Sequence, residues 1–97
     1  GLRMAVSVLI PGALRVDAAG ESKVSLDLGD GGVLRDVLDA LAERHPRIDR
    51  RLRDERGVLR RYVNVYVDGE ECRRGGGLDT PVGAGAEVQI LPSVAGG

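Results

Sequence analysis

The chain has 97 residues and a net charge of −1, and it contains two Tyr but no Phe or Trp. This length suits one domain, and the charge gives no electrostatic argument for binding nucleic acid or a membrane. Because the chain has no Phe or Trp, its core must be aliphatic. Such a core suits a small sheet under one helix and does not suit an aromatic-lined pocket for a large planar ligand.

Two short strands are predicted near the N-terminus. Residues 1–3 precede Met4, and we expect them to be a cloning remnant. Residues 5–10 are short and β-branched and stop at Pro11-Gly12, which is typical of a strand followed by a turn. Residues 23–28 alternate polar and apolar side chains, which predicts a second strand. The two strands are expected to pair as a hairpin.

The clearest helix of the sequence follows a glycine-rich break. Asp30 is the candidate residue to cap its first turn, and Pro46 ends it after His45. An apolar stripe at helical spacing predicts the face that packs on the sheet; it comprises Val33, Leu34, Val37, Leu38 and Leu41. For residues 47–60, which carry much charge, we expect a short helical turn and then a loop.

The C-terminal half reads as strands joined by turns. Residues 61–67 alternate strongly, so the Val side chains share one face and Tyr62, Asn64 and Tyr66 share the other. A turn at Asp68-Gly69 leads to a short strand over 70–73.

The last strand is predicted over residues 87–91. It is ended by Pro92, and Leu91 points to the same side as Glu87 and Gln89. We expect loops over 75–77 and 81–85.

This order of elements predicts an α+β fold. A mixed sheet of four to five strands should carry one main helix across one face. The domain is expected to span residues 4–92, and residues 93–97 form a tail that ends in Gly-Gly.

The chain resembles the ubiquitin-like (β-grasp) sulfur carriers of the MoaD and ThiS group, and within it the CysO type of actinobacteria. The resemblance is most specific over residues 61–68, 76–80 and 88–97, where a final strand runs into the terminal Gly-Gly. It implies that an E1-like enzyme adenylates the carboxylate of Gly97, that sulfur converts it to a thiocarboxylate, and that the sulfur passes to a second, biosynthetic enzyme.

The resemblance also implies the partners and the cofactor. ATP would be consumed by the activating enzyme, with no cofactor bound by this chain. A metalloprotease or other processing enzyme would act if an extension or adduct had to be removed. Gly96, Ala95 and Val94 would thread into the partner, since Gly has no Cβ and can pass a narrow channel. The sulfur destinations of the family include cysteine, molybdopterin, thiamin and thiosugar pathways.

The sequence lacks the parts of an enzyme. The glycines of 75–77 are followed by Leu78 and Asp79, with no Lys-Ser/Thr of a phosphate-binding loop. One histidine, His45, and one cysteine, Cys72, make no metal ligand set. Cys72 is interpreted as a small, half-buried side chain on an edge strand, because a sulfur relay would need a lowered thiol pKa. A lone cysteine and the lack of a membrane-length apolar run or signal region predict a cytoplasmic protein.

Partner contacts are expected on the sheet face that no helix covers. Tyr62, Asn64 and Tyr66 should lie there, and Leu91 should extend this surface towards the tail.

An arginine cluster over residues 50–61, with a local charge of +4, is either a solvated loop or a surface that steers docking onto an acidic partner. Arg60 and Arg61 are its candidate contact residues. Nucleic acid is not expected, because no aromatic side chains interleave the arginines to stack bases.

Two other functions stay open. The chain could be a protein modifier joined to lysines through Gly97, or a plain β-grasp binding module whose tail is idle.

Overall fold

The computed structural model describes residues 5–29 and 32–92. Seven strands and two α-helices are found in this part of the chain, with three short 3-10 helices between them. The strands are β1 (Ala5–Leu9), β2 (Lys23–Asp27), β3 (Gly32–Val33), β4 (Val63–Val67), β5 (Glu70–Glu71), β6 (Pro81–Val82) and β7 (Glu87–Pro92), and the helices are α1 (Leu34–Arg44) and α2 (Pro46–Leu52).

Five of the strands form one mixed sheet in the order β2-β1-β7-β4-β5. The neighbouring strands β1 and β7 are parallel, and the other pairs are antiparallel. The predicted hairpin of β1 and β2 is therefore confirmed. The sheet buries the apolar side chains of one face under α1, whose Leu34, Val37, Leu38 and Leu41 are buried.

The core is aliphatic, as the composition predicts. Alternate residues of the strands point into it, and these are Val6, Val8, Val24, Leu26, Val63, Val65, Val67, Val88 and Ile90. Because the helices lie on this side, the opposite face of the sheet stays uncovered. We call it the open face.

The start of α1 differs from the prediction. Asp30 lies outside the described residues, and the helix begins at Leu34, with Val33 in strand β3. The carboxylate of Asp36 accepts a hydrogen bond from the backbone N–H of Val33 at 2.8 Å. Asp36, in the first turn, therefore satisfies a backbone donor that the helix itself leaves without a partner.

The segment after α1 is more ordered than predicted. Residues Pro46–Leu52 form a seven-residue helix, which buries Ile48 and Leu52. Pro46 follows the end of α1 and is the first residue of α2. Proline suits this first position because the N–H that it lacks would have no partner in the first turn of a helix.

Two further short elements were not predicted. A 3-10 helix over Gly12–Ala18 buries Leu14 and Ala18. In the predicted loop over 81–85, Pro81–Val82 pairs with Gly32–Val33 as a separate two-stranded sheet. These short elements have no periodicity that a sequence can reveal.

The last strand does not end before Pro92. It includes that residue, which lies opposite Val63. Proline has no N–H to donate to the ladder, so it suits only a position that needs no backbone donor.

Cys72 is not on an edge strand. Strand β5 ends at Glu71, and Cys72 begins a 3-10 turn in which it is 2% exposed. Burial raises the pKa of its thiol, and the neighbouring Glu71 carboxylate raises it further. Both effects oppose thiolate formation, so Cys72 has the properties of a packing residue and not of a sulfur relay.

Candidate functional site

The open face presents the predicted contact residues of β4. Asn64 and Tyr66 are half-buried on it, and Tyr62, just before the strand, is 56% exposed. Their neighbours Val63, Val65 and Val67 are buried on the other side. The alternation predicted from the sequence is thus confirmed.

The register of the sheet brings Leu91 next to this group. Leu91 of β7 lies directly opposite Asn64, and Gln89 lies opposite Tyr66. Directly opposed residues of antiparallel strands have their side chains on the same face. Leu91 is 39% exposed, and one residue later Pro92 ends β7. We call Leu91 and Pro92 the tail root, because residues 93–97 follow them.

One row of residues crosses the open face from edge to edge. Lys23 lies opposite Leu9, Leu9 opposite Gln89, Gln89 opposite Tyr66, and Tyr66 opposite Glu71. Lys23, Leu9 and the tail-root residue Leu91 line the same shallow groove. The β1 side of the open face is therefore part of the surroundings of the tail root.

Arg73 is a site residue that sequence reasoning missed. One Nη donates to the Asn64 side-chain oxygen at 3.3 Å and lies 3.4 Å from the Glu71 carboxylate, while the other donates to the Arg60 carbonyl at 2.8 Å. This side chain therefore ties the 3-10 turn to the open face. The sequence does offer one signal for its contact with Glu71, because the two residues carry opposite charges and lie only two positions apart.

The two predicted arginines flank the start of β4. The guanidinium of Arg61 lies over the ring of Tyr62, 5.6 Å from its centroid, a distance at which a cation and an aromatic face attract. Arg60 donates from Nε to the Arg50 carbonyl at 2.8 Å. Both side chains are exposed, so both are accessible to a partner.

The arginine cluster is not one continuous surface. Arg53 is 8% exposed, and it donates to Asp49 and Asp39 at 2.8 Å each. Burial works against its charge, but the hydrogen bonds and the charges of the two carboxylates outweigh this effect and raise the pKa of Arg53. Arg53 therefore stabilises the packing of the helices, and Arg56 pairs with Asp54.

The predicted reactive residues lie beyond the described part of the chain. Gly97, Gly96, Ala95 and Val94 are all outside it. Within residues 5–29 and 32–92, no group of three His, Cys, Asp or Glu side chains is placed to hold a metal ion. Neither of the two α-helices described is long and apolar enough to cross a membrane.

Comparison with known proteins places this arrangement in a family. The model of the ThiS family matches residues 8–97, which include β2, β4, β5 and β7, the end of β1 and the terminal Gly-Gly. This chain belongs to the ThiS family. The resemblance expected from the sequence is thereby confirmed.

The sulfur carrier protein CysO of Mycobacterium tuberculosis (strain ATCC 25618 / H37Rv) is a relative along the whole chain. It is 42% identical over 96 residues, which is 97% of this chain and 100% of the relative. Small archaeal modifier protein 1 of Haloferax volcanii is 32% identical over 81 residues, covering 84% of this chain and 88% of the relative.

A solved structure confirms the fold and shows a relative with a partner. The BexX/CysO complex of Amycolatopsis orientalis contains a chain that matches with a TM-score of 0.84 and 40% identity, covering 95% of this chain and 99% of that one. The predicted β-grasp fold is therefore correct.

Proposed function

We propose that this chain is a sulfur carrier whose Gly97 carboxylate is activated and loaded with sulfur. The observation that carries the proposal is the 42% identity with the sulfur carrier protein CysO of Mycobacterium tuberculosis, which extends over 97% of this chain. Sulfur carriers of this family are not themselves enzymes, so we place adenylation and its ATP on a partner.

The chemistry requires an activating enzyme because a carboxylate is a poor electrophile. Transfer of AMP from ATP to the Gly97 carboxylate, with release of pyrophosphate, gives an acyl-adenylate with a good leaving group. Attack of a sulfur nucleophile on the carbonyl carbon forms a C–S bond and expels AMP. With sulfide as the nucleophile, which gives up its proton, the product is a thiocarboxylate, and a second enzyme uses it as its sulfur donor.

The fold supports the proposal by where it puts the tail root. Residues 93–97 span roughly 16–18 Å when extended at about 3.3–3.6 Å per residue. Gly97 can therefore enter a buried site of a partner that covers the open face. In this proposal, Val94, Ala95 and Gly96 pass through a channel, and Tyr62, Asn64, Tyr66 and Leu91 contact the partner outside it.

The BexX/CysO complex solved for Amycolatopsis orientalis supports a stable partner for a carrier of this type. We infer two docking events for this chain, first with an E1-like adenylating enzyme and then with a sulfur-accepting enzyme. The acceptor belongs to the cysteine, molybdopterin, thiamin or thiosugar class of pathways. A cytoplasmic location suits enzymes that consume ATP and sulfide.

Intact mass spectrometry tests the function directly. The chain is incubated with the activating enzyme of its own genome, ATP and a sulfide source. We expect a mass increase that corresponds to replacement of one oxygen by sulfur, and no increase after deletion of Gly97. If the enzyme loads another carrier of the family but leaves this chain unchanged, the proposal is wrong.

A second candidate function is protein modification, which the 32% identity with small archaeal modifier protein 1 favours. In that case the activated Gly97 would be attacked by a lysine amine, which forms an amide and expels AMP. Lysates should then contain adducts that resist thiol reductants and disappear when Gly96 and Gly97 are deleted. Absence of such adducts in cells that contain the thiocarboxylate would exclude this second function.

A further inference from the structure

Charges on the open face are segregated along the strands. At the end far from the tail root, Asp27 lies opposite Ala5, and Glu87 lies opposite Ser7. The next residue after β4, Asp68, accepts a hydrogen bond from the Glu87 backbone N–H at 2.9 Å. This far end is therefore acidic. The charged side chains nearest the tail root are cationic, apart from Glu71, which lies 3.4 Å from Arg73.

The first cationic flank lies on the β1 side of the tail root and consists of Arg15 and Lys23. Arg15 donates from Nε to the Ile10 carbonyl at 3.0 Å, which holds its guanidinium at the end of β1. Both cations line the groove that contains Leu91. No pattern in the sequence groups these two cations, because Arg15 belongs to a 3-10 helix that was not predicted.

The second cationic flank lies on the β4 side and consists of Arg60, Arg61 and Arg73. Arg73 is held by Asn64, the residue directly opposite Leu91, and by the Arg60 carbonyl. The tail root thus lies between two groups of cations that come from different parts of the chain.

Most of these cations are not neutralised within the fold. In the described residues, Arg73 approaches Glu71 at 3.4 Å, but no ion pair involves Arg15, Lys23, Arg60 or Arg61. By contrast, arginines of the helical side such as Arg51 and Arg53 are paired with aspartates. Cations without partners on a contact surface favour an acidic partner and raise its association rate.

The length of the tail indicates where such a partner must be acidic. With roughly 16–18 Å of extended chain between the tail root and the Gly97 carboxylate, the flanks cannot be the groups that bind the phosphates of ATP. They must face the rim of the channel that the tail enters.

We propose that the enzyme that activates Gly97 carries acidic side chains on both sides of its channel entrance, and that the two cationic flanks orient the docked carrier on it. This inference rests on the proposed sulfur-carrier function and adds Arg15, Lys23 and Arg73 to its specificity-determining residues. The acidic far end of the open face opposes a reversed orientation by like-charge repulsion, and it also disfavours a polyanion such as RNA as the occupant.

Charge reversal on each flank tests the inference in the loading reaction. The test variants are R15E/K23E and R61E/R73E. The control variant is R44E/R47E, which makes the same charge change on exposed positions of the helices α1 and α2, outside both flanks. The initial rate of thiocarboxylate formation is measured against carrier concentration at low and at high salt, and circular dichroism verifies that each variant is folded.

Each test variant is expected to raise the KM for the carrier by about tenfold or more at low salt with little change in kcat, since oriented charges act on association. The control should change the KM for the carrier by less than about threefold. High salt should reduce the difference in KM between the wild type and the test variants, because salt screens the charges.

Unchanged KM values in both test variants, while the wild type is loaded, would overturn this inference and leave the carrier function standing. An equal rise in the control would also overturn it, because net charge alone would then explain the effect. If the test variants lose binding to a single-stranded RNA but keep their KM, the flanks serve nucleic acid and the inference is wrong. A wild-type chain that gains no sulfur refutes the proposed function, and the inference with it.

Discussion

Asn64 and Leu91 lie directly opposite each other on the antiparallel strands β4 and β7, with both side chains on the open face. This pairing joins the aromatic side chains of β4 to the strand that carries the tail. A partner that covers the open face must therefore contact the root of the tail as well. In the proposed function, recognition of the carrier and insertion of its C-terminus are therefore parts of one docking event.

Truncation of Leu91 should weaken docking without unfolding the protein. For Leu91→Ala we expect the KM for the carrier in the loading reaction to rise by about fivefold or more, a typical loss for a contact at the centre of an interface. Its exposure of 39% limits the effect on the free energy of unfolding to about 0.5–1 kcal/mol.

The matched control is Val58→Ala. Val58 is 49% exposed and lies in the loop between α2 and β4, outside the open face. It should leave the KM unchanged. An equal KM for wild type and Leu91→Ala would contradict the assignment of the tail root to the interface.

Replacement of Arg53 should destabilise the fold and spare docking. Arg53→Met leaves Asp49 and Asp39 without their buried cation, and we expect a loss of about 2 kcal/mol in the free energy of unfolding. This is below the usual cost of breaking a buried pair, since Asp39 is 58% exposed.

Urea denaturation measures this loss, with Arg50→Met as the control at an exposed position of α2, the helix that Arg53 follows. A double-mutant cycle of Arg53→Met with Asp49→Asn should show strong coupling. Additive effects would mean that the ion pair contributes nothing to stability.

Gly32 and Asp36 should act as a coupled pair at the start of α1. A Cβ on Gly32 would clash with the Asp36 carboxylate, which accepts the Val33 N–H at 2.8 Å. Gly32→Ala and Asp36→Ala are therefore each expected to cost about 1 kcal/mol of stability, the usual value of a lost helix cap.

The double variant should cost clearly less than the sum of the two, because either substitution already removes the same hydrogen bond. Glu43→Ala, at an exposed position of the same helix, is the control. Full additivity of the two losses in stability would show that Gly32 does not act through this hydrogen bond.

The Cys72 thiol should resist alkylation in the folded protein. Burial raises its pKa, so at pH 8 it carries less thiolate than a free thiol, whose ordinary pKa is about 8.5. We expect iodoacetamide to modify native Cys72 at least about tenfold more slowly than Cys72 in the unfolded chain, with peptide mass spectrometry as the measurement.

Linkage gives the pH dependence of stability. Because the folded-state pKa is raised, stability is fully present below the pKa of the unfolded thiol and falls as the pH rises through and above that value. Cys72→Ser, which has no group titrating in this range, should show a smaller loss of stability between pH 8 and 10. Native alkylation as fast as in the unfolded chain would show that the thiol is exposed.

The sequence by itself determined the faces of the long elements and indicated the family of the chain. The alternation of residues 63–67 separates the Val side chains from Asn64 and Tyr66, and the stripe of α1 fixes its buried side. Periodicity is a local property, so these features are readable without a structure. The terminal Gly-Gly after a last strand is also a local feature, and it indicated the family.

Only the tertiary structure decided which residues meet across the sheet. The register that puts Leu91 opposite Asn64, the separate pairing of Pro81–Val82 with Gly32–Val33, and the convergence of Arg15, Lys23 and Arg73 around the tail root depend on contacts between distant segments. The burial of Arg53 has the same origin, since its partner Asp39 lies on another helix. Such contacts are set by packing and strand register over the whole chain, and no local pattern encodes them.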